Sequence, residues 1–178
     1  MKTYNTLAPT LLVSFFLVLG LLPADAQKEQ RALPNPLIDY PSFLKNAQQV
    51  EAIRNIRRVP EAQFLQMMSE PGVVLLDARS AAMYKLRHLR GAINLSLPDF
   101  TAGSLRRIIP RAGTKVLIYC NNNFLGSPVA FASKSPAASL NISTFVTLHT
   151  YGYTNVYELA PLIDVKASKL PFEGEEVR

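Results

Sequence analysis

The sequence predicts an α/β domain with a mostly parallel central sheet and helices on both faces. Three observations carry this prediction. Residues 73–76, 115–119 and 155–159 are runs of strand length with little polar alternation, the pattern of strands buried on both faces. Stretches that read as helix separate the strands. Asp77 and Cys120 each stand at the carboxyl end of such a run, where functional groups gather in open α/β sheets. The chain has 178 residues, 48% of them hydrophobic. That is the length of one domain, with enough apolar material for a core.

The N-terminus has the form of an export signal. Lys2 precedes an apolar run over residues 7–22, and Ala24-Asp25-Ala26 fits the small-x-small cleavage pattern. Residues 1–26 are therefore expected to be a signal peptide, with the mature chain starting at Gln27. The run is short for a bilayer span and contains Pro9, so no stable membrane anchor is expected after cleavage. No cysteine sits at the cleavage site to carry a lipid. The expected compartment is outside the cytoplasm, most simply the periplasm.

The net charge is +6, and cleavage leaves it unchanged because it removes one Lys and one Asp. The basic residues are scattered, in small groups such as Arg54, Arg57 and Arg58, or Arg87 and Arg90. Without an aromatic-interleaved basic stripe, no nucleic-acid partner is expected. A weak preference for anionic small molecules follows from the charge.

The elements are read in order. Residues 27–57 form an N-terminal extension, broken at its start by Pro34, Pro36 and Pro41, with a helix over 43–54. Residues 56–59 form a short strand. Pro60 then opens a helix with Phe64, Leu65, Met67 and Met68 as its apolar residues, since proline suits the first helical position. Pro71-Gly72 stops it, and the strand 73–76 ends at Asp77. Ser80 caps a short helix through Leu86. Residues 91–95 form a second short strand, and a helix over 101–109 closes at Pro110. The strands 115–119 and 155–159 follow, with a helix over 143–151 between them.

The stretch VLIYCNNNFLGSP, residues 116–128, holds the chain's one cysteine. A lone cysteine cannot form an internal disulfide, and exported proteins usually carry paired cysteines or none. Cys120 reads either as an inert core residue or as a functional thiol. Its place between a strand and a polar loop favours function.

Several of these segments together resemble the rhodanese-like domain family. Residues 75–95 carry the family's Asp-x-Arg strand end as Asp77 and Arg79, then Tyr84, His88, Gly91, Ala92 and Asn94. Residues 116–120 resemble the strand that delivers the family's cysteine, and residues 152–159 its last strand. The resemblance spans about Arg58 to Leu162, so a rhodanese-like domain is expected over 58–178. It implies a three-layer rhodanese-like fold and a sulfurtransferase that passes a sulfane sulfur through a persulfide on Cys120. It implies a small anionic sulfur donor and a protein or small-thiol acceptor, with no metal and no organic cofactor. Because the thiolate is the attacking species, the loop Asn121, Asn122, Asn123, Phe124, Leu125 and Gly126 is expected to curl around the sulfur as an anion nest. A helix N-terminus would add to it.

The sequence also departs from the family pattern. Cys120 lies 32 residues before Gly152, so either the intervening helix is split or the active loop carries an insertion. The loop also has no arginine. A phosphatase-like reading would need one six residues after the cysteine, where Gly126 stands, and without it the bidentate phosphate clamp is missing. The three asparagines could supply left-handed backbone positions without glycine, or they could form an ordinary turn. Asp77 and Arg79 are expected to support the site, more by fixing the loop than by chemistry. His88 and His149 are expected to be structural, Tyr119 to be core, and Phe124 and Phe131 to pack the loop. The alternative to catalysis is a non-catalytic binding or thiol-sensing module, with residues 121–141 as its partner surface.

Overall fold

A computed structural model describes residues 35–177. The expected signal peptide, its cleavage site and the first part of the extension lie outside these residues. Residues 39–178 form one compact unit.

The first helix, α1 (Tyr40–Arg57), is longer than its apolar pattern suggested. Asp39 caps it by accepting from the Ser42 N–H at 2.9 Å. Pro41 sits in its first turn instead of breaking it, because a proline there gives up no helical hydrogen bond. The expected strand 56–59 shrinks to β1 (Arg58–Val59) because the helix runs on through Arg57. The extension read over 27–57 thus supplies a helix that packs Val50 into the core.

The remaining elements follow in order. They are α2 (Glu61–Met68), β2 (Val74–Asp77), α3 (Ala81–Leu86), β3 (His88–Leu89), β4 (Ile93–Asn94), α4 (Ala102–Ile108) and β5 (Val116–Tyr119). After β5 come β6 (Phe124–Leu125), α5 (Leu140–Thr150), β7 (Val156–Leu159), β8 (Ile163–Asp164) and β9 (Phe172–Glu173). Ser80 caps α3 as its position predicted. Thr101 and Ser104 make a reciprocal capping box at the start of α4.

Five strands form the central sheet in the order β1-β7-β5-β2-β4. Every pairing within it is parallel. Successive side chains leave opposite faces of a strand, and two apolar clusters result. Val74, Leu76, Val116 and Ile118 face Val50 of α1, Leu105 of α4 and Phe145 of α5. Leu75, Leu117 and Tyr119 face Phe64 and Met67 of α2. The α/β class with a parallel sheet between two helical layers is as the apolar runs predicted.

Four of the two-residue strands lie outside the sheet. β3 pairs antiparallel with β9, and β6 pairs parallel with β8. Bridges this short leave no periodic pattern to read. The region after Cys120 resolves the two sequence alternatives. One unbroken helix, α5, precedes Gly152, and the added length lies in the loop from Asn121 to Ser139. Among the described residues no helix is long and apolar enough to cross a membrane.

Candidate active site

Cys120 follows β5, which lies between β2 and β7 in the sheet. The residue is extended, with φ −148° and ψ −173°, and a right-handed 3-10 turn over Asn121–Asn123 comes next. Left-handed backbone is therefore not what the asparagines contribute. The side chains of Asn122 and Asn123 act as staples. The Cys120 N–H donates to Asn123 Oδ1 at 2.8 Å. Asn123 Nδ2 donates to the carbonyls of Leu159 at 2.8 Å and Pro161 at 3.2 Å, tying the turn to the end of β7. Asn141 Nδ2, in the first turn of α5, donates to Asn123 Oδ1 at 3.0 Å. Asn122 exchanges two hydrogen bonds with the backbone of Lys134 and closes the loop on itself.

The Cys120 sulfur is 3.5 Å from Ser139 Oγ. Ser139 stands at the N-cap of α5 but makes no side-chain cap bond, so its hydroxyl turns to the sulfur instead. The Asn123 N–H faces the Cys120 side chain in the reciprocal cap of the turn, but among the described residues no ring of backbone N–H groups converges on the sulfur. The sulfur does not sit among apolar side chains alone either. It borders a cleft of about 200 Å³ whose lining includes Arg54, Arg58, Ser139, Asn141 and Glu158. The start of α5 lies against the same cleft through Ser139, Asn141 and Ile142, which brings the positive end of a helix to it.

The two arginines come from outside the loop. Arg54 on α1 donates from Nε and Nη2 to the carboxylate of Glu158 on β7 at 2.5 and 2.7 Å. Arg58 Nε lies 3.5 Å from the same carboxylate. These residues, with Ser139 and Asn141, were not singled out as site residues from sequence. A signal existed. A carboxylate inside the apolar strand VYEL must be buried, and a buried charge requires a partner. The Arg54, Arg57, Arg58 group is one such supply, although no spacing singles it out.

Asn121, Phe124, Leu125 and Gly126 do not line the cleft, contrary to the sequence reading. Phe124 is buried in an aromatic cluster, with ring centroids 4.5 Å from Phe131 and 5.2 Å from Phe172. Leu125 is exposed and pairs with Asp164 in β6–β8. Gly126 makes the turn that follows, at φ +82°. The chain leaves the sulfur after Asn123 because Phe124 is drawn into the core.

Asp77 and Arg79 form a buried network beneath the loop. Arg79 Nη2 donates to Asp77 Oδ2 at 2.5 Å and Nε to Oδ1 at 2.9 Å. The Tyr119 hydroxyl donates to Asp77 Oδ2 at 2.6 Å and accepts from the Leu89 N–H at 3.1 Å. Burial, with the Asp77 carboxylate beside it, pushes the Tyr119 phenol well above its ordinary range. Burial lowers the Arg79 pKa, but its bonds to Asp77 outweigh this, and the guanidinium stays charged. Arg79 Nη1 reaches the carbonyl of Ala130 at 2.8 Å, and its guanidinium lies 4.4 Å from the centre of the Phe131 ring. The pair therefore holds the inserted loop to the sheet. Neither residue lines the Cys120 cleft. Arg79 borders a second cleft with Asn121 and Lys134. His88 bonds the Tyr84 carbonyl at 2.8 Å, and neither histidine lines the Cys120 cleft.

Residues 61–160, more than half of the chain, match the family described as Rhodanese-like domain. No curated protein matches the sequence. Solved structures that resemble the chain include the rhodanese-like domain of a protein from Anabaena sp. It has 18% identity and a TM-score of 0.48, over 67% of this chain and 80% of that one. A rhodanese with anions from E. coli matches at 23% identity and a TM-score of 0.39, over 57% of this chain and 98% of that one. A third similar structure is an EanB variant in complex with hercynine, at 16% identity and a TM-score of 0.45. That match covers 61% of this chain and 25% of that one.

Proposed function

This chain belongs to the rhodanese-like domain family, and from that premise we propose that it is a sulfurtransferase carrying a sulfane sulfur as a persulfide on Cys120. One observation carries the reading. The sulfur lies at the carboxyl end of β5, against a cleft that also holds the start of α5 and two arginines. Helix N-termini and guanidinium groups favour negative sulfur species, and a persulfide cycle passes through such species at each step.

In the first half-reaction the Cys120 thiolate attacks the outer sulfur of a donor. A new S–S bond forms and the donor's own S–S bond breaks. The electron pair leaves with the remainder of the donor, as sulfite when the donor is thiosulfate. In the second half-reaction an acceptor thiolate or cyanide takes the outer sulfur, and Cys120 returns as the thiolate. Asp77 and Arg79 support the site by holding the inserted loop through Ala130. The acceptor is a small thiol or a protein, and the compartment is the periplasm, as the N-terminal sequence suggests.

A second reading rests on the burial of Cys120, which is 1% exposed. A thiol this enclosed suits a binding or thiol-sensing module with the inserted loop as its partner surface. Intact mass separates the two readings. The mature protein and its Cys120→Ala variant are incubated with thiosulfate and, separately, with the methanethiosulfonate anion. Gain of one sulfur atom in the wild type alone, removed again by cyanide, is the expected result. No gain with either donor excludes the sulfurtransferase and leaves the module.

A further inference from the structure

The loop after Cys120 has no arginine, yet the cleft beside the sulfur holds two. They are not equivalent. Arg54 is neutralised by the bidentate pair with Glu158, whose side chain is 3% exposed. Arg58 touches the same carboxylate only at 3.5 Å, and its side chain is 41% exposed. One of its Nη groups donates weakly to the Ala160 carbonyl at 3.3 Å. Arg58 is thus the cation with donors to spare. The formal charge of Arg54, Arg58 and Glu158 together is +1. The attacking Cys120 thiolate brings the total to zero before a donor binds, so a dianion adds two uncompensated charges where a monoanion adds one, and the monoanion is the less costly guest.

Asn141 gives a second, independent indication. Asn123 Oδ1 accepts from the Cys120 N–H, which fixes the orientation of that amide. Asn141 must then present Nδ2 to the same oxygen. Its own Oδ1 is left as a buried acceptor without a partner among the described residues. Asn141 is 2% exposed and lines the cleft. An unpaired buried acceptor is costly and is relieved by an N–H or O–H donor. Thiosulfate at neutral pH is a dianion that offers acceptors only, so it answers neither feature.

We propose that the Cys120 cleft is built for a singly charged organic sulfur donor bearing an N–H or O–H group. Arg58 binds the anionic end of that donor, and Glu158 sets the charge preference. This inference rests on the persulfide reading. With a thiosulfonate, the Cys120 thiolate bonds to the outer sulfur, the sulfur–sulfonyl bond breaks, and the pair departs on a sulfinate. Two negative charges enter and two leave, and no external oxidant or reductant is needed.

The test is the rate of sulfur loading on Cys120, followed by intact mass. Three probes are used: thiosulfate, methanethiosulfonate and 2-hydroxyethanethiosulfonate. They are compared in the wild type, Arg58→Gln, Arg58→Lys and Glu158→Gln. The probes differ in intrinsic reactivity, so the readout is how their rate ratios change between variants. With each rate divided by that donor's rate with a free small thiol, the hydroxyethyl donor should load the wild type at least threefold faster than the methyl donor. Glu158→Gln should raise the ratio of thiosulfate to methanethiosulfonate at least fivefold. Arg58→Gln should lower that ratio and slow both donors, and Arg58→Lys should restore it. Opposite shifts in the two variants are a signature that general loosening would not produce.

Ratios within twofold of wild type in both variants, with loading intact, overturn the inference and leave the persulfide reading standing. Equal loading by the two thiosulfonates, after the same division by their rates with a free thiol, overturns the hydrogen-bonding half. No sulfur on Cys120 from any probe defeats the persulfide reading itself. If Glu158→Gln fails to fold, the exposed Arg58 position decides alone.

Discussion

Tyr119 shows how one side chain joins strand, network and loop. Its phenol sits in the core at 1% exposure and bridges Asp77 to the Leu89 N–H. Tyr119→Phe keeps the packing but leaves that N–H unpaired and removes a donor from a buried carboxylate. The expected loss is about 1–3 kcal/mol, read as a lower urea midpoint at unchanged slope. A pH effect follows from the raised phenol pKa. The folded state holds this proton more tightly than the unfolded chain does. The stabilising contribution is therefore complete below the ordinary tyrosine pKa of about 10 and is lost as the pH rises past it. Stability measured from pH 9 to 11 should fall more steeply in wild type than in Tyr119→Phe. Arg79→Ala is more severe, because it strands Asp77 as a buried unpaired charge. About 3–5 kcal/mol is expected, and release of the Ala130 carbonyl should speed proteolysis within residues 127–139.

At the scale of elements, the inserted loop is held as much by short pairings as by side chains. Gly126 turns the chain out of β6 at φ +82°. A Cβ there would meet Asp164 Oδ1 at 2.9 Å and Val165 Cγ2 at 3.3 Å. Asp164 cannot swing aside freely, since the same oxygen accepts from the Lys166 N–H at 2.8 Å. Gly126→Ala thus adds left-handed strain of about 1–2 kcal/mol to a steric clash. The expected result is a lower denaturation midpoint, with faster amide exchange at Val165, whose N–H bonds the Leu125 carbonyl. The helices and central strands were legible in sequence because each has a local cause: a cap, a proline or an apolar run. The pairings β3–β9 and β6–β8 were not, because each spans two residues and its partner lies far along the chain.

At the scale of the whole molecule, the C-terminal segment closes the structure. Leu170 is buried, Phe172 packs on Phe124 and Phe131, and β9 covers β3. Glu176 accepts from Ser127 of the loop at 2.6 Å. A chain ending at Lys169 should lose at least about 4 kcal/mol, the scale of removing two large core side chains. Its aromatic cluster should also become more accessible to a fluorescent apolar dye. At the other end, α1 lies ahead of the family-matched residues 61–160, yet it contributes Val50 to the core and Arg54 to the cleft. Both segments fall outside the quoted motifs, so neither contribution could be inferred from the resemblance.

What could be read from the chain is what local chemistry dictates. Apolar runs specify buried parallel strands, caps and prolines specify helix starts, and Cys120 is placed at a strand's carboxyl end by the residues beside it. What had to wait for the folded chain is which groups meet that sulfur. Arg54 and Glu158 are 104 residues apart, and Cys120 and Ser139 are 19 apart. Such pairings are set by how helices lie on the sheet, and no spacing rule encodes them. The asparagines show the same division. Their turn was foreseeable from composition, but the Asn123 amide finds partners in β7 and α5 only once the sheet has brought those elements alongside.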